Sequence, residues 1–260
     1  MPIALTRDVS PAMHLCELSH LARSPIDHAR ALAQHAAYEQ ALMELGCRVH
    51  RLPSDASMPD AVFIEDTAVV VDEVAVITRP GAKSRRPETE AVHAALGRYR
   101  SLAAIEAPGT LDGGDVLRIG RTFYVGDSAR SNRDGIAQLG ELLAPYDYRV
   151  VPVVTRDCLH LKTAATVAAA GIIVLNPAWV DRALFEHATV IEVDPTEPFG
   201  GNVLLVGEAT ICGAAFPLTN RRLAEAGVAV RTVDMSEFAK AEGGVTCCSV
   251  IFQSTEGPAA

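Results

Sequence analysis

The sequence predicts an α/β protein made of repeated small units, either propeller-like or doubly wound. Three observations carry this. Short apolar, β-branched runs come in pairs separated by Gly- or Asp-containing turns. Helical stretches that stop at glycine follow several of the pairs. The alternation recurs about five times along 260 residues. No GxGxxG or Walker pattern is present, so a nucleotide fold has little support.

In chain order, residues 2–5 read as a first strand and 13–24 as an irregular segment, a surface loop or a lid. Residues 27–45 form an Ala-rich helix stopped at Gly46, and 48–52 a strand. Residues 61–71 are strand-like and apolar except for Glu65, Asp66 and Thr67. Adjacent carboxylates there are costly if buried without partners, and their plain reading is a strand end or bulge reaching solvent. Residues 74–78 complete a hairpin, 80–87 make a polar loop, and 88–96 a helix ended by Gly97. Asp112 and Asp115 then flank Gly113 and Gly114, which suits a plain turn or a close backbone approach. A hairpin follows over 116–119 and 122–125, then a helix over 134–143 and a strand over 150–154.

Cys158, His160 and Lys162 alternate with Leu159 and Leu161. As a strand, this stretch shows one face with thiol, imidazole and amine together. Its plain reading is a structural histidine. Strands over 172–175, 189–193, 203–206, 208–211 and 228–233 follow, with helices over 177–185 and 219–226. The chain's last predicted element starts at Gly243-Gly244 and becomes a buried strand. Cys247 and Cys248 sit at that junction, as a nucleophile on a rigid support or as small core residues.

Composition narrows the function. Hydrophobic residues are 49% and charged residues 21%, an ordinary globular balance for one large domain or two small ones. The net charge of −9, without a Lys/Arg run, argues against nucleic acid and mildly favours cationic small partners. Six cysteines show no CxxC or zinc-finger spacing. Without a secretory pattern or an apolar run long enough for a bilayer, a cytoplasmic protein with reduced thiols is expected.

Four motifs then align in order and spacing: Phe63-Ile64-Glu65-Asp66, Leu111-Asp112-Gly113-Gly114-Asp115, Leu159-His160-Leu161-Lys162 and Gly244-Val245-Thr246-Cys247. With them the chain resembles the dimethylarginine dimethylaminohydrolases of the guanidino-group-modifying superfamily, across essentially its whole length. The resemblance implies a five-bladed pseudo-symmetric α/β-propeller of ββαβ modules, the pentein fold, as a single catalytic unit over residues 1–260. It implies hydrolysis of dimethyl- or monomethylarginine to citrulline and a methylated amine. Carried over, Cys247 is the nucleophile, His160 the general acid/base and Asp112 the carboxylate that positions it, while Cys248 is structural. Asp66 grips the guanidinium, with Glu65 among the substrate-binding residues. Arg85 and Arg130 hold the α-carboxylate. Leu18, Asp60 and the carbonyl near Ala241 meet the α-amino end. Relatives carry Glu or Asp at position 112.

The residue types suit that chemistry. Carboxylates pair with a planar, N–H-rich guanidinium through charge-assisted bonds. Its delocalised carbon demands a thiolate, and the departing amine demands a proton donor. Carboxylates near Cys247 also oppose thiolate formation, so ionisation assisted by the cationic substrate is expected. No cofactor or metal is required, although Cys247 and His160 could together take a soft, inhibitory metal such as zinc. An exposed propeller edge suits a homodimer. Two rival functions stand beside this: a deiminase or amidinotransferase on the same fold, and a non-catalytic binder of arginine derivatives. Against the first, Glu65 precedes Asp66 where those enzymes usually carry Arg. Against the second, the full set of Cys247, His160 and Asp112 is present.

Overall fold

A computed structural model describes residues 1–254; residues 255–260 of the expected single unit lie outside the described residues. The chain forms five sheets of three strands each. The first contains β1 (Pro2–Arg7) and β2 (Arg48–Leu52); the second β3 (Ala68–Val70), β4 (Val74–Ile77) and β5 (Ser101–Ala104). The third contains β6 (Val116–Ile119), β7 (Thr122–Asp127) and β8 (Arg149–Val154). The fourth contains β9 (Ala165–Ala169), β10 (Ile172–Leu175) and β11 (Thr189–Glu192). The fifth contains β12 (Val203–Val206), β13 (Ala209–Gly213) and β14 (Ala229–Val233). Strand β15 (Val250–Gln253) returns to pair antiparallel with β1, so chain end and chain start share a sheet.

Each sheet follows one rule. Its central strand pairs antiparallel with one neighbour and parallel with the other. The parallel step needs a crossover. Helices α1 (His28–Glu44), α2 (Thr89–Leu96), α3 (Arg133–Leu143) and, after the short α4 (Leu161–Ala164), α5 (Pro217–Glu225) belong to four crossovers. The fourth sheet uses only a short 3₁₀ turn, Arg182–Phe185, where a helix over 177–185 was expected. This is the predicted five-bladed α/β-propeller, and it removes the doubly wound alternative.

Packing explains the helices better than capping does. In α3, Asn132 caps the start by accepting from Gly135 N–H, while Ile136, Leu139 and Leu143 are buried. Such a cap contributes about 1 kcal/mol, whereas each fully buried aliphatic contributes about 1.5–3 kcal/mol. Helix α1 buries Ala31, Tyr38 and Leu42, and Tyr38 does more than fill space. Its hydroxyl donates to Val245 O (2.9 Å) and lies 2.7 Å from Ser249 Oγ, bracing the segment between Gly244 and β15.

Three local expectations change. Residues 61–71 do not run as a strand; a 3₁₀ turn over Ile64–Thr67 precedes β3. Residues 158–162 are not a strand either, because Leu161 N–H is taken by the Asp115 carboxylate (3.0 Å) rather than by a neighbouring strand. Strands β5 and β9 appear where none was expected.

Candidate active site

The segments leading into the strand of each sheet that pairs antiparallel with its central strand meet at the centre. They carry Glu65 and Asp66 before β3, Asp112 to Asp115 before β6, and His160 before β9. Asn202 precedes β12, and Thr246 to Cys248 precede β15. Small residues permit the approach. A Cβ at Gly114 would stand 2.6 Å from His160 Nδ1 and 2.8 Å from Asp66 Oδ1. Only glycine lets these segments touch.

Glu65 and Asp66 are buried, against the solvent-reaching reading, and both are fully partnered. Asp66 Oδ1 accepts from Gly114 N–H (2.9 Å), and Asp66 Oδ2 accepts from Arg85 Nη1 (2.5 Å). Burial opposes ionisation of Asp66, yet His160, Arg85 and the Gly114 amide hold it down to about 2. Glu65 accepts from Lys162 Nζ and from Thr246 Oγ1 (2.7 Å). Burial raises the Glu65 carboxyl, with Lys162 opposing.

His160 lies between two of these carboxylates. Its Nε2 is 3.2 Å from Asp112 Oδ2, and its Nδ1 is 3.9 Å from Asp66 Oδ1. Burial works against a charged ring, but Asp66, Asp115 and Asp112 outweigh it and push the imidazole up to about 9. Asp112 Oδ1 accepts from Gly81 N–H (2.8 Å), which fixes the carboxylate from its far side.

Cys247 is half-buried, and Gly244 N–H points at its sulfur (3.4 Å). Its carbonyl accepts from Glu65 N–H (3.1 Å), joining the nucleophile candidate to the acidic segment. Burial, with Glu65 and Asp66 nearby, pushes the thiol up to about 12. Cys248 is fully buried in the core beneath, among Tyr38, Phe63 and Phe238. A cavity of about 330 Å³ opens beside Cys247, lined by Leu21, Phe199, Asn202, Phe216 and Met235 among others.

The outer residues separate into two kinds. Arg130 is 8% exposed, with Nη2 donating to Ser19 Oγ (3.2 Å) and Nη1 3.8 Å from Asp112 Oδ2. Arg85 is 3% exposed and already committed: Nε and Nη2 bond Glu88, Nη1 bonds Asp66, and Nη2 also donates to Phe63 O (2.9 Å). It braces the acidic segment, whereas the resemblance assigns it, with Arg130, to the substrate α-carboxylate. Asp60 is buried, and both its oxygens accept from Glu17 N–H (3.1 Å each). Leu18 packs partly buried against the core, and Ala241 lies buried after α6 (Ser236–Ala239).

Two residues that the sequence left without a role hold segments together. Asn202 accepts from Thr246 N–H (3.1 Å) and donates to Thr246 Oγ1 and Lys162 O (3.0 Å each). It therefore ties the His160 segment to the Cys247 segment. Glu242, at φ +60°, accepts from the N–H groups of Ser19, His20 and Leu21 and pins the 13–24 segment. No sequence signal marked Glu242, since an isolated carboxylate on a turn has no pattern. Among the described residues Asp66, Asp112 and His160 bring ligand-type atoms within 4.8 Å of one another. These atoms already serve each other, Arg85 and Gly114, so the cluster is an ion-pair network.

Known proteins resemble this chain in both sequence and fold. The family described as N,N dimethylarginine dimethylhydrolase, eukaryotic, matches residues 20–252. The N(G),N(G)-dimethylarginine dimethylaminohydrolase of Streptomyces coelicolor is 41% identical over 95% of this chain and 95% of its own. That of Pseudomonas aeruginosa is 37% identical over 90% of this chain and 92% of its own. A structure of the Pseudomonas aeruginosa protein complexed with citrulline superposes with a TM-score of 0.92 at 34% identity, covering 96% of this chain and 98% of that one. An N-terminal domain of a cyanobacterial arginine dihydrolase, at 22% identity and a TM-score of 0.83, shares the fold. Among the described residues no helix is long and apolar enough to cross a membrane. Matched along nearly its full length in both sequence and fold, the chain belongs to the dimethylarginine dimethylaminohydrolase family.

Proposed function

We propose that this chain hydrolyses N(G),N(G)-dimethyl-L-arginine, and the monomethyl form, to L-citrulline and dimethylamine or methylamine. The observation that carries the reading is His160, held 3.2 Å from Asp112 and 3.9 Å from Asp66 on the segment tied through Asn202 to Cys247. Such a ring is a proton donor at neutral pH, which a departing dialkylamine needs.

Cys247 is the nucleophile. At rest it is a thiol, because burial and the carboxylates Glu65 and Asp66 oppose the anion. A bound guanidinium cation cancels those charges and favours the thiolate, the thiol proton passing to solvent water because His160 already carries its own. The S–C bond then forms at the guanidinium carbon. Protonated His160 gives its proton to the amine nitrogen, the C–N bond breaks, and dimethylamine departs. The cysteine is left as an S-alkylthiouronium. His160, now neutral, takes a proton from water; hydroxide adds to the same carbon, the C–S bond breaks, and the added hydroxyl passes its proton to the departing sulfur, giving citrulline and restoring the Cys247 thiol. These steps call on no cofactor.

Asp66 and Glu65 serve the guanidinium, and Asp60 the α-amino group. Leu18 and the Ala241 carbonyl border that end. Arg130 takes the α-carboxylate, while Arg85 adds its charge from behind, its nitrogens being bonded already. The whole chain acts as one catalytic unit. A homodimer through an outer blade edge fits the exposure of Val154 on β8, 72%, and sedimentation that shows only monomer would remove it.

Product analysis tests the function. Incubation with asymmetric dimethylarginine should yield citrulline and dimethylamine, and the yield should vanish in Cys247→Ser. Ammonia released faster from arginine would instead make the chain a deiminase. Binding of methylarginine without any product would make it a binder.

A further inference from the structure

Asp115 is fully buried, and every one of its bonds leads to a part of the site. Its Oδ1 accepts from Leu161 N–H (3.0 Å), the residue next to His160. Its Oδ2 accepts from Ser128 Oγ and Ser131 Oγ (2.6 Å each). The Ser131 oxygen in turn accepts from Asp112 N–H (3.0 Å). One carboxylate thus reaches the backbone beside His160 directly and that of Asp112 through a single hydroxyl. The floor beneath it is cleared by Gly126, where a Cβ would stand 2.5 Å from Asp115 Oδ1.

We propose that Asp115 is a positioning residue for the reaction, holding His160 and Asp112 in one frame and adding a buried carboxylate beside the His160 segment. This rests on His160 as the acid/base. A buried, multiply bonded carboxylate fixes its donors more tightly than a surface one, since leaving any of them unpaired costs the full desolvation of that group. The charges facing His160 are Asp66 and Asp112 at its two ring nitrogens and Asp115; Arg85 sits behind Asp66 and Arg130 beside Asp112. The Cys158 thiol also feels Asp115. Burial pushes the Asp115 carboxyl up to about 6 against His160 and its hydrogen-bond donors, so it is ionised at neutral pH.

Two variants test charge and frame separately. Asp115→Asn keeps the shape and removes the charge. NMR of labelled histidine, with the His160 signals identified by their loss in His160→Asn, should show the His160 midpoint lower by about one unit or more. A folded Asp115→Asn protein with an unchanged His160 titration overturns the proposal. Ser131→Ala cuts the link to Asp112 and leaves Asp115 its bonds to Leu161 and Ser128. It should lower kcat about tenfold with KM within about twofold, as expected when reacting groups are slightly misplaced. Unchanged kcat in Ser131→Ala overturns the shared frame, and it decides the matter alone where Asp115→Asn does not fold. The NMR readout needs no turnover, so a chain inactive on methylarginines would still show whether Asp115 governs His160.

Discussion

The two halves of the site share the Asp66 carboxylate and respond to it in opposite ways. On the His160 side, Asp66 helps keep the ring protonated, up to about 9 despite burial. On the Cys247 side, burial and the same Asp66 keep the thiol protonated, up to about 12. A negative field favours a cation and disfavours an anion. On the proposed reading, His160 as proton donor is therefore ready before substrate arrives, and Cys247 as nucleophile is not. A cationic substrate is the missing positive charge, so reactivity is tied to occupancy of the site.

The largest break in this comparison comes from removing either partner. Cys247→Ser and His160→Asn should each cut citrulline formation by roughly a thousandfold or more. Activity within tenfold of the parent in Cys247→Ser would move the nucleophile elsewhere.

Asp66→Asn strikes both halves together. It removes the charge that Arg85 also pairs with, and kcat/KM should fall about a hundredfold. Thiolate absorbance should show the Cys247 midpoint dropping below its parent value, and NMR should show His160 dropping as well. A drop on one side alone would show that the shared field is not the cause.

Substrate linkage sharpens the contrast. Since the Cys247 thiol lies near 12, almost no thiolate exists at neutral pH in the free protein. Saturation with a non-reactive guanidinium analogue should lower that midpoint measurably. The activity limb set by His160 runs the other way: its raised midpoint near 9 means the acid form is present below that pH and lost above it. Activity should therefore decline as pH rises through about 9. A decline beginning near the ordinary histidine value would discard the role of the carboxylates around the ring.

The smallest effects lie at neighbours that share a feature without sharing the field's task. Cys248→Ala, in the core, should cost about 1 kcal/mol of stability and leave kcat within threefold. Glu242→Ala should leave the chemistry intact and speed proteolysis within residues 19–21, whose N–H groups it holds. Unchanged cleavage would show that Glu242 does not restrain that segment.

Most helices were legible because their signals are local. Asp27 caps α1, and helices α1 and α5 stop before Gly46 and Gly227 at positive φ. Strand β5, Ser-Leu-Ala-Ala, and β9, whose β-branched residues are limited to Thr166 and Val167 among alanines, were not, since both exist through pairing with β4 and β10. The alternation of residues 158–162 misled for the same reason: a carboxylate 46 residues earlier claims the Leu161 amide.

By itself the sequence determined the repeated α/β organisation and the family, and it supplied the residues on which the proposed chemistry rests, because spacing and residue type survive without coordinates. Tertiary structure alone decided which of these residues face each other. It buried Glu65 and Asp66 with partners, committed Arg85 to Glu88 and Asp66, and placed His160 between two carboxylates. It also gave Asp115, Asn202 and Glu242 their tasks. The physical reason is distance along the chain. Apart from Arg85–Glu88, three residues apart, these contacts join segments tens to hundreds of residues apart, and protonation depends on the summed field of groups that only folding brings together.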